Sequence, residues 1–367
     1  MLKKYELKHY KFHLILLLIT LTTIGVLVVG SALQTVQLKQ FLGMILGIVA
    51  MIVVSLLDYS YILRFYWIMY AVSVILLLAV ELFGVNVNGS QRWLDIGYQF
   101  QPSELCKILL ILFFAKYFQL HREHLNTFRS LCITAILMLV PIVLIKKQPD
   151  LSTTLTVAFI FCAMLYVSGL SYKLIGTVLA IVVPFMVIFL SIVIQPDQKL
   201  LESYQRDRIM AWLDPEEYAD STGYQQTNAK MAIGSGQLYG KGLNNDSIDS
   251  VKNGNFIAEP ETDFIFAVVG EELGFVGSVV IIGLIGLIVF CCVTIGARAK
   301  DLSGTLICVG MASLIGFQSF VNIGVATSVL PNTGIPLPFV SYGLTSLVSL
   351  YLGMGFVLNV GLQPKKY

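Results

Sequence analysis

The feature that most constrains this chain is a succession of long apolar runs, each close to the length that crosses a bilayer. A hydrocarbon core about 30 Å thick needs about 20 apolar residues at about 1.5 Å of helix rise each. Runs of that kind recur at roughly 13–33, 38–57, 61–83, 103–119, 130–146, 151–169, 172–195, 263–294, 302–327 and 338–361. They are continuous rather than alternating, which points to helices and away from a closed barrel. Of the 367 residues 56% are hydrophobic and 13% charged, against about 25% charged in a soluble domain. The expected fold is an all-α polytopic membrane protein with ten transmembrane helices, forming one membrane domain over residues 1–367. The net charge of +2 comes with no basic tail or patch of the kind that binds nucleic acid. Six cysteines, Cys106, Cys132, Cys162, Cys291, Cys292 and Cys308, lie within or at the ends of apolar runs without metal spacing, and read as reduced, buried small hydrophobes.

Lys3, Lys4, Lys8 and Lys11 precede the first run and Gly30-Ser31-Ala32 follows it. A cleaved signal peptide has that outline, but the run is long for one and more runs follow, which favours an uncleaved first span. Basic residues in short loops stay in the cytoplasm and set orientation. With the N-terminus inside, the inner set is Lys3, Lys4, Lys8, Lys11, Arg64, Lys116, Arg122, Arg129, Lys173, Arg298, Lys300, Lys365 and Lys366; the short outer loops hold Lys39, Arg92, Lys146 and Lys147, thirteen against four. Both termini are therefore expected in the cytoplasm. One long extracellular loop, about 196–262, lies between helices 7 and 8. A helical stretch at Tyr204–Leu213, turn signals at Asp214-Pro215 and Gly234-Ser235-Gly236, and the aromatic Tyr204, Trp212, Tyr224 and Tyr239 argue that it is folded and functional. A second outer segment, Val85–Gln101, is polar and aromatic. The active face is expected on the outer side. Pro331, Pro336 and Pro338 cannot continue a helix and predict a rigid outer loop before the last span.

A charge inside a span costs about 2.5–3.5 kcal/mol, so each asks for a reason. Glu104 and Lys107, three apart on one helical face, either neutralise each other so that a short helix can enter the membrane or organise a polar cavity, and the two roles are compatible. Thr262 reads as the N-cap of the eighth helix. Asp263 after it either complements the helix dipole, worth about 0.3–1 kcal/mol, or stands as a general base at the outer mouth. Glu271 and Glu272 lie further in and read as structural. Their run, about 48 Å long at about 1.5 Å per residue, must tilt, project beyond the membrane, or kink near Gly270, Gly274 or Gly277. Asp150 reads as the cap of the sixth span. Arg206, Arg208, Lys241 and Lys252 either neutralise a phosphate or are solvated charge. His9, His13, His121 and His124 read as residues in or near cytoplasmic loops. No Walker motif, zinc-protease motif or nucleophile elbow is present.

These pieces combine. The segments 88–97, Gln101-Pro102-Ser103-Glu104, Gln148-Pro149-Asp150, Ala211-Trp212-Leu213-Asp214-Pro215, Thr262–Gly274, Asn322–Thr327 and Leu330–Thr345 stand in an order that resembles the shape, elongation, division and sporulation (SEDS) family, the group of RodA and FtsW. The resemblance covers essentially the whole chain. It implies ten spans in the bacterial plasma (inner) membrane, and a peptidoglycan glycosyltransferase that polymerises lipid II into glycan strands. It implies that Asp263 is the essential aspartate, and matches Trp93 to the tryptophan of the family's Arg-Trp pair (here Arg92-Trp93) and Glu104 with Lys107 to its acid–lysine pair. Ser103, Thr262 and Ser341 lie in matched motifs and are carried as substrate-binding candidates. Arg208 and Lys241 are the candidates for the departing diphosphate, while Trp93 packs on a sugar face or anchors at the interface. A divalent ion (Mg or Mn) would also suit that chemistry, but no ligand cluster calls for one and no metal ligand is assigned. The implied partners are lipid II, the nascent glycan strand, membrane lipid and a single-span class B penicillin-binding transpeptidase. The chain departs from the family at Glu261, where a histidine is usual, at Gln237, and at Leu344-Thr345. Gln91-Arg92-Trp93 is closer to the elongation (RodA) branch than to division. The competing readings are a lipid II flippase and a non-catalytic scaffold for the transpeptidase.

Overall fold

The computed structural model describes residues 10–87, 90–95, 97, 99–193, 203–214, 217–218, 221, 223–244, 250 and 256–365. It is predominantly helical. Lipid offers no partner to main-chain polar groups, and a helix satisfies its own. The helices are α1 (Phe12–Ala32), α2 (Gln34–Leu56), α3 (Tyr59–Ile62), α4 (Tyr66–Phe83), α5 (Pro102–His121), α6 (Phe128–Lys147), α7 (Leu151–Val167), α8 (Tyr172–Val193), α9 (Ser203–Leu213), α10 (Tyr224–Ser235), α11 (Ile265–Ala297), α12 (Leu302–Ala326) and α13 (Leu344–Gly361). Among the described residues, seven stretches are long and apolar enough to cross a membrane: α1, α2, α3 with α4, α6, α11, α12 and α13. The chain is a multi-pass membrane protein. The expected runs at 103–119, 151–169 and 172–195 also fold as helices, α5, α7 and α8.

Local sequence sets many of the ends. Pro102 sits in the first turn of α5, where its missing N–H costs nothing. The side chains of Thr127, Asp150 and Asp301 accept main-chain N–H groups at the starts of α6, α7 and α12. The helices α5, α12 and α13 are the most enclosed, and α13 lies along α2. A Cβ on Gly47 would fall 2.4 Å from the Tyr351 ring, and one on Gly355 2.8 Å from the Met51 carbonyl, so glycines let these two helices approach closely. At the far end of the bundle Tyr59 donates to Asp301 (2.8 Å) and Asn359 to the Ser55 carbonyl (2.7 Å).

α11 runs for 33 residues and breaks at Gly274, where φ is 66° and ψ −163°. This is one of the three positions expected to kink. The segment 236–242 lies across the break. Phe275 and Val276 donate their N–H groups to the Gln237 and Leu238 carbonyls (2.9 and 3.1 Å), while Lys241 and Gly242 donate to the Glu271 and Glu272 carbonyls (2.9 and 3.0 Å). The main-chain groups freed by the break are thus satisfied by a neighbouring backbone, as they must be away from water. A Cβ on Gly240 (φ +78°) would stand 2.1 Å from the Glu272 carbonyl oxygen, so that position demands glycine. Lys241 pairs with Glu271 at 2.8 Å, and Glu272 accepts from the Ser31 hydroxyl at 2.6 Å. Both acids are tied to the helix break, in keeping with their structural reading.

Several expectations are corrected. Residues 85–100 include an antiparallel sheet of β1 (Val85–Val87), β2 (Ser90–Asp95) and β3 (Gln99–Phe100) in the order β1-β2-β3, so the fold is not purely α. Val85, Val87 and Trp93 suit a pleated surface. The last helix starts at Leu344 rather than 338, and the eighth at Ile265 rather than 263, because the residues just before each are bonded to one another at the site described below. Cys132 and Cys162 are exposed on α6 and α7, where a thiol facing lipid needs no protein cover, while the other four cysteines are buried. His121 is the last residue of α5, stacked on Tyr117 at 4.3 Å between centroids, and not a loop residue. Expectations resting on Lys3, Lys4, Lys8, His9, Asn88, Gly89, 196–202, Pro215, Lys252 and Lys366 lie outside the described residues.

Candidate active site

The approach to α11 is a turn, 259–264, rather than a capped helix start. Thr262 is not the N-cap: its hydroxyl donates to the Glu259 carbonyl at 3.0 Å, and the N-cap position is Phe264, which offers no side-chain acceptor. The Thr262 carbonyl accepts from the Ser341 hydroxyl (2.6 Å), the Glu261 carbonyl from the Tyr342 N–H (2.8 Å), and Ser341 Oγ in turn accepts from the Leu337 N–H (2.8 Å). The proline-rich loop 327–343 is thereby sewn to the turn that carries Asp263. From α2, Gln40 donates to the Ser341 carbonyl (3.0 Å) and accepts from the Gly343 N–H (3.3 Å). From α12, Asn322 donates to the Asp263 and Ile335 carbonyls, both at 2.7 Å. Gly334 (φ +69°) faces the carboxylate itself: a Cβ there would lie 3.0 Å from Asp263 Oδ2. Glu259, Ser328 and Phe339 hold left-handed φ values of 52°, 61° and 65° around the site, a conformation that non-glycine residues keep only where surrounding contacts enforce it.

Charged side chains converge from other elements. Arg92 on β2 donates to the Gln148 carbonyl (3.4 Å) and the Pro149 carbonyl, and lies 4.0 Å from Asp150. Asp150 accepts from the N–H and hydroxyl of Thr153 (3.0 and 2.9 Å), so it caps α7 as expected and also meets Arg92. Ser152, two residues after Asp150, donates to the Thr333 carbonyl. Trp212 on α9 donates to the Val329 carbonyl at 3.1 Å, which brings the helix carrying Arg208 onto the same loop. Asp263 is half-buried as a residue, and its carboxyl is packed within protein. Burial pushes its pKa from the ordinary 3.8 up to about 6; the charges of Glu259 and, less, Asp150 add to this, while Arg92 and Arg208 oppose it. Burial likewise raises Glu261, with Glu259 adding to the effect and a main-chain hydrogen bond opposing it.

The sequence candidates therefore divide. Asp263, Arg92, Arg208, Thr262 and Ser341 gather at one end of the bundle. Trp93 is half-buried on β2, paired across the ladder with Val85. Glu104 and Lys107 form a fully buried pair at 2.8 Å, one turn into α5. The Gln101 N–H before them donates to Thr345 at the start of α13 (3.5 Å), so the pair sits where α5 meets the loop's exit. Ser103 is buried with its hydroxyl unpartnered. Lys241 is bound to Glu271 at the helix break, and Arg206 is half-buried with an unpartnered Nε. Sequence reasoning passed over Gln40, and took Asn322 and Gly334 only as members of matched segments, without a role of their own. An amide inside an apolar run is the signal that finds the first two, since a membrane helix keeps such groups only with partners. Among the described residues no group of three His, Cys, Asp or Glu side chains is placed to hold a metal ion.

Comparison with known proteins agrees over nearly the full length. The chain is 36% identical over 357 residues to the Escherichia coli K12 protein named peptidoglycan glycosyltransferase MrdB, covering 96% of this chain and 93% of that one. Its fold superposes on a chain from a structure titled as the coordination of polymerization and crosslinking by a peptidoglycan synthase complex (TM-score 0.78, 30% identity, 96% and 97% covered). It superposes also on the rod shape determining protein RodA of Thermus thermophilus (TM-score 0.70, 28% identity, 96% of each covered). Residues 7–366 match the profile of the FtsW, RodA and SpoVE group, described as cell cycle proteins, and the chain belongs to that family.

Proposed function

We propose that the chain is a peptidoglycan glycosyltransferase that polymerises lipid II, with Asp263 as its general base. The observation that carries this reading is the Asp263 carboxyl, enclosed in protein and held near a pKa of about 6, with two arginines bearing on it. Such a group is mostly ionised at neutral pH and still basic enough to accept a proton. The names and folds of the relatives support the same activity.

Asp263 takes the proton of the acceptor sugar's 4-hydroxyl as that oxygen attacks the donor's anomeric carbon. The new C–O bond forms as the bond to the diphosphate breaks, the diphosphate leaves with the electron pair, and the anomeric centre inverts. A positioned base contributes about 10²–10⁴-fold. Orientation of the two substrates and cations on the leaving diphosphate supply the rest. Arg208, exposed on α9, and Arg92 take the diphosphate; Lys241 is reassigned to the break in α11. Trp93 packs on a sugar face. Ser103, with Glu104 and Lys107, keeps the mouth of α5 polar, and Thr262 and Ser341 hold the turn beneath the base. No step is routed through a metal ion.

We read α1, α2, α3 with α4, α5, α6, α7, α8, α11, α12 and α13 as ten crossings of the bacterial inner membrane, with both termini cytoplasmic. The sheet, α9 and α10 then face outward, where the lipid-linked sugars stand, and residues 1–367 act as one membrane unit. A class B penicillin-binding transpeptidase is the partner that crosslinks the product, a pairing supported by the likeness to a complex that joins polymerization with crosslinking. Likeness to MrdB and RodA supports the elongation branch.

The test is the full chain purified in detergent with lipid II and no transpeptidase. Glycan strands made by the wild type and lost in Asp263→Asn and Asp263→Ala, both folded, support the proposal. Lipid II transport without polymer, unchanged by either substitution, assigns the chain to a flippase instead.

A further inference from the structure

We propose that Asn322 is a positioning residue for the transfer: its amide locks the main chain of Asp263 to the Gly334 turn and so fixes where the carboxylate rests. This rests on Asp263 acting as the base. Asn322 is 1% exposed, in a helix that is apolar over most of its length. Burying an amide there costs about 1–3 kcal/mol unless its groups are bonded. Its Nδ2 spends both N–H groups on the Asp263 and Ile335 carbonyls, each at 2.7 Å. That also fixes the amide's orientation, because the flipped form would set Oδ1 against two carbonyl oxygens. Its Oδ1 is buried without a protein partner. An amide present only to fill the core would not be expected to leave a buried acceptor unmatched.

The two carbonyls belong to the two strands of chain whose separation decides where the acid sits. One carries Asp263; the other carries Gly334, whose Cα hydrogens face Oδ2 and where a Cβ would stand 3.0 Å away. The charged groups around this carboxyl come from every other side: Arg92 on β2, Asp150 at the cap of α7, Arg208 on α9, and Glu259 on the approach to α11, itself coupled to Glu261. α12 at this level and the loop 327–343 contribute no charge, so the neutral amide holds the base without pairing to it.

The experiment measures lipid II polymerisation by the full chain in detergent as a function of pH, for wild type, Asn322→Ala, Asn322→Ser and Asn322→Asp, with folding checked by thermal unfolding. Displacing a catalytic group by about 1 Å costs about 10²-fold. Asn322→Ala should therefore lose about 10²-fold in kcat with KM nearly unchanged. Its acid limb should move down, as the freed carboxyl reaches solvent and the arginines. Asn322→Asp keeps the shape, loses both donors and adds a charge, so its rate should fall while its acid limb moves up. Asn322→Ser retains one donor and should recover part of the alanine loss; it also carries the test if the alanine variant does not fold. A folded variant with the wild-type rate, or a slower one whose acid limb stays in place, overturns the inference. Polymer formation by Asp263→Asn would instead overturn the base itself, a separate result in a separate variant.

Discussion

Replacing Asp263 by asparagine should abolish polymerisation and at the same time stabilise the protein, with a pH dependence that identifies the cause. The folded carboxyl titrates near 6 and the unfolded one near 3.8. The folded state therefore holds its proton more tightly, and ionisation works against folding. Below the unfolded value both states are protonated and nothing is lost. As pH rises from 3.8 through about 6 the wild type gives up stability, and above that the loss is constant. A shift of about two pKa units at about 1.36 kcal/mol each gives about 3 kcal/mol as the gross figure. Asn322→Ala is expected to relax the same group, but asparagine at 263 removes the charge outright. The residue is only half-buried and Arg92 and Arg208 lose a compensating charge in the variant, so a net gain of about 1–2 kcal/mol is the expectation. Asparagine is nearly isosteric and leaves the Asn322 and Gly334 contacts in place. The assay is thermal unfolding of wild type and Asp263→Asn in detergent across the acid range. The two curves should converge at low pH, and the variant should pull ahead as pH rises to neutrality. A difference that does not change with pH would refute the argument that burial holds this carboxyl above its ordinary range. An asparagine variant less stable than wild type at neutral pH would show that the arginines, and not desolvation, dominate.

Other perturbations test other parts of the molecule. Gly240→Ala places a Cβ 2.1 Å from the Glu272 carbonyl oxygen at φ +78°; it should unclasp the break in α11 and cost about 3 kcal/mol or more, seen as a lower unfolding temperature. Glu104→Gln or Lys107→Met alone leaves a buried partner charge and should cost about 3–5 kcal/mol, whereas the double variant should recover much of the loss in a thermal double-mutant cycle. Arg208→Ala should reduce kcat/KM for lipid II polymerisation by about 10-fold or more with little change in stability, because its side chain is exposed and its proposed role is charge on the diphosphate. If Asp263 is the base, as proposed, it must be ionised to act; polymerisation should then rise with pH through an acid limb near 6, and Glu259→Gln, which removes the neighbouring charge that raises Asp263, should move that limb down.

Much of this molecule was decided one segment at a time. A run such as Phe12–Ala32 or Leu302–Ala326 becomes a membrane helix whatever its neighbours do, because apolar length and the need to satisfy its own main chain leave no alternative. The cap at Asp150, the Glu104–Lys107 pair three residues apart and the break among the glycines of α11 are equally local, and were readable as spacing. Asp263 was marked by its position at the start of a span. What it does there was not local. Its pKa depends on Glu259, Arg92, Arg208 and Asp150, drawn from four separate stretches of chain. The Thr262 cap failed and the last helix started late because Ser341 and Tyr342 take the Thr262 and Glu261 carbonyls while Gln40 takes the Ser341 carbonyl, the first and last of these across gaps of 79 and 301 residues. The partners of Asn322 and the clasp on Gly274 belong to the same class. Periodicity and hydropathy report how a segment meets its solvent, which in a bilayer is nearly enough to fix the helices. Which polar groups meet inside the bundle depends on packing between distant segments, and only the tertiary structure decided it.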